Sequence, residues 1–190
     1  MKYFRIAALA APMISVAGAA FAHPGNPTAG ITAGLAHPLS GADHVLAMLA
    51  VGLWAAQTGG RARWALPGGF LLSMALGGML GMGGWQGIAI EPLILASVIC
   101  LGAAVSLALR APLAAALPAI MLFGAAHGIA HGAESGAAGI LYGVGFLAST
   151  AALHGAGLVL GTAARHMDGG RLLRLLGGAT AFAGVALAIG

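Results

Sequence analysis

Long apolar runs separated by short breaks dominate the chain. A helix needs about 20 mostly apolar residues to cross a bilayer. Six such runs follow residue 30, at 31–56, 64–82, 88–109, 113–131, 137–161 and 172–189. The breaks are Gly59-Gly60, Gly83-Gly84, Arg110-Ala111-Pro112, Glu134-Ser135-Gly136 and Asp168-Gly169-Gly170. His37-Pro38 divides the long first run. Proline suits the first turn of a helix, so the main helix there is expected to start at Pro38. A different apolar stretch precedes the six. Lys2 and Arg5 come before an apolar core at 6–17, and Ala20-Phe21-Ala22 offers a small-residue cleavage site. The pattern reads as a signal peptide over 1–22 and a single six-helix domain over 23–190, its mature end at His23. An uncleaved anchor is the alternative. The expected fold class is an all-α membrane protein with six transmembrane helices after a cleaved N-terminal signal peptide.

Composition agrees. Hydrophobic residues make up 60% of the 190 positions and charged residues 6%, against about 25% charged in a soluble domain. The 33 glycines suit membrane helices, where small residues let backbones approach closely. A net charge of +4 raises the question of nucleic acid, but the arginines are scattered singles with no basic run. Orientation follows from them. With the mature N-terminus outside and six crossings, Arg61, Arg63, Arg110, Arg165, Arg171 and Arg174 all fall in inside loops, as the positive-inside rule requires. The C-terminus then lies outside a bacterial cytoplasmic membrane. Trp54, Trp64 and Trp85 fall near span ends, where interface anchors belong. Cys100, the one cysteine, reads as a packed core residue, and Met48, Met79 and Met82 read as gap-fillers.

Ionisable groups inside the spans need a reason, because a charge at the bilayer centre costs about 2.5–3.5 kcal/mol. His37, Asp43 and His44 occupy the first run, and Glu91 opens the third from the outer side. His127, His131 and Glu134 lie at the outer end of the fourth, spaced to share one helical face. His37 and His44 share a face as well if the helix runs through. Asp43 either points across to a neighbouring helix or hydrogen-bonds a ligand imidazole. A single histidine in a membrane helix is ordinarily a packing residue. Two clusters in the outer half, each with an acid and two histidines, point instead to one shared metal site. Imidazoles with carboxylates and no thiolate suit nickel, cobalt or zinc. His154 lies deep in the fifth run, and His166, beside Arg165 and Asp168, reads as solvated. His23 is either a cleavage remnant or a chelator through its amino group and ring.

The residues His37-Pro38-Leu39-Ser40-Gly41-Ala42-Asp43-His44 and Ala126-His127-Gly128-Ile129-Ala130-His131-Gly132-Ala133-Glu134 resemble the two signatures of the HupE/UreJ family. The second departs at its first position, where Ala126 replaces a phenylalanine that cannot bind metal. The resemblance spans essentially the whole chain. It implies a permease for nickel, in some members cobalt, supplying hydrogenase or urease maturation. It also implies that Phe70 and Glu91 are needed for transport.

Neither a phosphate-binding G-x-x-x-x-G-K-[ST] loop nor any lysine beyond Lys2 is present, so transport proceeds without ATP hydrolysis by this chain. The partners expected are the metal ion as cargo and the lipid bilayer, with no prosthetic group and no nucleic acid. The proposed route is capture by Glu91, Glu134 and His131, transfer to His37, His44 and Asp43, and release past His154. Two rival readings stand beside it. One is an intramembrane zinc-dependent hydrolase built on the same His, Asp and Glu residues, with Ser40 as the nearest nucleophile. Against it, the chain has no H-E-x-x-H or G-x-S-x-G motif. The other is a structural subunit of a larger membrane complex.

Overall fold

The computed structural model describes residues 30–85, 87, 89–135 and 139–190. The segment read as a signal peptide, and His23 with it, lies outside them. The described residues are helical, with no strand. In chain order they form α1 (Ile31–Ala36), a 3-10 turn (His37–Leu39), α2 (Ala42–Thr58), α3 (Ala62–Met82), α4 (Ile90–Ser106), α5 (Leu113–Glu134), α6 (Gly139–Asp168) and α7 (Arg171–Ile189). By length and composition α3, α5, α6 and α7 can each cross a membrane. The α1–α2 pair, bent by 84°, makes a fifth candidate. The remaining apolar helix, α4, has 17 residues.

The first run departs from expectation. The main helix begins at Ala42, not at Pro38, and the chain does not run straight from His37 to His44. Pro38 sits in the 3-10 turn. The Ser40 hydroxyl donates to the His37 carbonyl at 2.6 Å, and Gly41 is extended (φ −102°, ψ 124°). An extended residue cannot carry the helical hydrogen-bond ladder, so the helix restarts after it. The fifth run is longer than expected. No glycine or proline interrupts 162–168, and α6 continues to Asp168, where Gly169 and Gly170 turn the chain at positive φ.

Glycine seams bring helices into backbone contact. On α5, Gly124, Gly128 and Gly132 recur every four residues, and a Cβ on any of them would meet the α3 backbone at Phe70, Met74 or Gly78. Gly77 and Gly81 of α3 return the contact against Ala125 and Ile129. Gly52 packs on the His154 carbonyl and Gly157 on that of Leu49, joining α2 to α6. Gly102 and Gly177 join α4 to α7.

Side chains close one end of the bundle. Arg165 donates to the Ala56 carbonyl at 2.6 Å and Arg174 to that of Ser106 at 2.9 Å. Gln57 and Trp54 donate to Val105 and Leu109. The Ala56 and Ser106 carbonyls, in the last turns of α2 and α4, are among those that helix ends leave unpaired. Arg61, Arg63, Arg110, Arg165, Arg171 and Arg174 all belong to helix ends or turns at this arginine end. Two expectations change here. Trp54 is buried with its indole N–H bonded, so it is a core residue, whereas Trp64 and Trp85 are exposed, at 76% and 53%. Cys100 is exposed rather than packed, because it lies on the face of α4 turned away from the other helices. Met48 is fully buried, as a gap-filler should be, while Met79 and Met82 are exposed.

Candidate metal site

At the end opposite the arginines, α5 presents His127, His131 and Glu134 from its last two turns. The break before α2 turns the chain so that His37 and His44 both reach His131 from different directions. His44 Nδ1 lies 3.1 Å from His127 Nδ1 and 3.1 Å from His131 Nε2. His37 Nε2 lies 3.0 Å from His131 Nδ1 and 3.3 Å from Glu134 Oε2. Glu134 Oε2 is 2.9 Å from His131 Nδ1. Two groups of three potential ligands result, His44–His127–His131 and His37–His131–Glu134. They share His131, which offers Nε2 to one and Nδ1 to the other. The bend that disrupts the helix thus brings His37 and His44 to the two different nitrogens of a single imidazole.

The spacing fits a metal ion. Imidazole nitrogen binds zinc at about 2.0–2.1 Å. At such bond lengths, neighbouring ligands on one ion stand about 2.9–3.4 Å apart, and the closest donor pairs here fall within that range. Hydrogen-bond accounting supports the fit. Ser97 Oγ lies 2.6 Å from the Ile94 carbonyl, which can only accept, so the hydroxyl proton is committed there. His127 Nε2, at 2.9 Å from the same oxygen, must therefore donate. That leaves the lone pair of His127 Nδ1 facing His44. One proton on His44 Nδ1 then serves both neighbouring imidazoles, and His44 Nε2 is buried with no hydrogen-bond partner among the described residues. Lone pairs converging on one shared proton are the arrangement that a cation replaces.

The groups differ in access. His44 and His127 are buried, His37 and His131 partly so, and Glu134 is exposed. The Glu134 group thus faces outward and the His127 group inward. Phe146 lines both, with ring contacts to His37, His44 and His131. A cavity of about 350 Å³ lined by Met74, Met79, Met82, Tyr142 and Phe146 reaches His131 from the side.

Other residues singled out in the sequence stand nearby. Asp43 belongs to neither group. Its carboxylate accepts the backbone N–H of His44 at 2.8 Å, bonding neither an imidazole nor a facing helix among the described residues, and this holds the first turn of α2. Glu91 is exposed in the first turn of α4, about 9 Å along the helix beyond Ser97. Phe70 is buried against His127 and His154. His154 lies deeper in the bundle, and His166 is exposed near the arginine end. Sequence reasoning missed Ser97. Its signal was a polar residue in the middle of an apolar helix.

The HupE / UreJ protein family matches residues 11–187 of the chain. Protein HupE of Rhizobium leguminosarum bv. viciae is 41% identical over 198 aligned residues that cover the whole of both proteins. No solved structure matches.

Proposed function

The chain belongs to the HupE/UreJ family, and from that membership we propose that it carries a divalent transition-metal ion, nickel before cobalt, inward across the bacterial cytoplasmic membrane. In this reading α1–α2 and α4 count as spans beside the four longer helices, making six. Both mature termini lie outside, and the delivered metal supplies the maturation of a metalloenzyme such as hydrogenase or urease. The metal is cargo, not a resident cofactor.

The observation that carries the proposal is the convergence of His37, His44, His127, His131 and Glu134 into two ligand groups joined through His131. Glu91 and Glu134 offer exposed carboxylates to an arriving cation. The ion then binds His37, His131 and Glu134. From there it passes across the His131 ring to His44 and His127, exchanging one ligand nitrogen of that ring for the other. Asp43 holds His44 in register. A divalent cation moving inward gains about 4.6 kcal/mol per 100 mV at about 2.3 kcal/mol per charge, so membrane potential alone suffices as a driving force. The hydrolase alternative draws no support from the geometry, since the Ser40 hydroxyl donates to a backbone carbonyl and not to an imidazole.

Imidazole ligands set the selectivity against magnesium, which prefers oxygen ligands and gives up its water reluctantly. The preference for nickel rests on the family. Uptake of labelled nickel into proteoliposomes, with each other ion in excess, tests both. Cobalt competes strongly and magnesium weakly. Blockage by magnesium at equal concentration means that the histidines are not the ligands.

A further inference from the structure

His154 lies eight residues beyond Phe146 on α6, about 12 Å towards the arginine end. It is 2% exposed, and neither ring nitrogen has a hydrogen-bond partner among the described residues. Burying an imidazole in this way is costly unless something binds it. One turn earlier, Thr150 is fully buried and its hydroxyl also lacks a partner. A helical threonine ordinarily returns its hydroxyl to the carbonyl four residues back. Thr162 and Thr180 do so, bonding Leu158 and Leu176, but Thr150 does not. The two free groups stand four residues apart on α6 and share a face. The Phe70 ring meets His154 edge-on at 5.1 Å between ring centres and His127 at 5.6 Å. A single aromatic side chain therefore touches both the innermost histidine of the metal cluster and His154.

We propose that His154 and Thr150 form a second, inner station for the transported cation, and that Phe70 is the gate between it and the histidine cluster. The proposal rests on the transport reading. It gives the ion a stop between the cluster and the arginine end, about 16 Å further along α6 to Arg165. One imidazole and one hydroxyl leave most of the coordination shell to water. That makes a weak site, as a station that must release its ion should be. Rotation of the Phe70 ring away from His127 opens the step from one site to the other.

Nickel binding and nickel uptake, measured on the same full-length protein, test the station. In His154→Ala, binding at the cluster is retained, which also shows that the protein is folded, and uptake falls at least ten-fold. Thr150→Val, which keeps the shape, cuts uptake about three-fold with binding retained. The gate is read separately with His154→Cys in a Cys100→Ala background. A methanethiosulfonate reagent added outside leaves this cysteine unmodified until Phe70→Ala is also introduced. Wild-type uptake by both His154→Ala and Thr150→Val overturns the station while leaving the transport reading intact. Modification of His154→Cys at equal rates with and without Phe70 overturns the gate. A wild-type chain that moves no nickel or cobalt removes both readings together.

Discussion

A serine hydroxyl has one proton, and at Ser97 that proton is committed to the Ile94 carbonyl. His127 must then carry its own proton on Nε2 and turn the bare Nδ1 towards His44. A partner that orients a ligand imidazole is worth about 10–100-fold in metal affinity. Ser97→Ala is therefore expected to weaken nickel binding by about that factor without lowering the amount of protein in the membrane, as titration of the purified protein will show. Ser97→Thr keeps the hydroxyl and restores binding. Unchanged affinity in Ser97→Ala would mean that the tautomer is set elsewhere. His166 is exposed and far from the cluster, so His166→Ala takes up nickel at the wild-type rate.

The helices gain their contacts through glycines, and this makes their tolerance to substitution uneven. Gly128 faces the Met74 carbonyl, and an added Cβ there meets backbone that cannot yield without moving α3. Gly155 has nothing among the described residues within 4 Å of its would-be Cβ. Gly128→Ala is expected to lower the melting temperature in detergent and to reduce uptake, since the neighbouring His127 shifts with α5. Gly155→Ala is neutral or slightly stabilising, because alanine favours helix by about 1 kcal/mol over glycine. Equal melting temperatures for the two variants would contradict the seam. The apolar runs and their glycine breaks were legible because helix length and turn chemistry are local properties. The start of α2 was not. Pro38 marked a first turn, but Gly41 adopts an extended backbone that composition does not announce. Trp54 misled for a related reason: its position near a span end indicated an anchor, while its partner, the Leu109 carbonyl, lies on a different segment.

Among the described residues, six arginines gather at one end of the bundle and the histidine cluster lies at the other. With the arginine end in the cytoplasm, a reporter enzyme active only there and fused after Gly190 should be silent, and an active fusion would refute the six-span, C-outside arrangement. Much of the site could be read in the chain, because His127, His131 and Glu134 recur on one helical face. The joining of His37 to that face could not. The two residues are separated by 94 positions, and only the bend between α1 and α2 brings them within 3.0 Å. Sequence reasoning foresaw one shared site. The structure instead divides the potential ligands into two groups with His131 common to both. The most direct test is nickel uptake into proteoliposomes containing this chain alone, wild type against His131→Ala. The account requires accumulation by the wild type and a loss of at least ten-fold in the variant. A His131→Ala protein that accumulates nickel at the wild-type rate would contradict it.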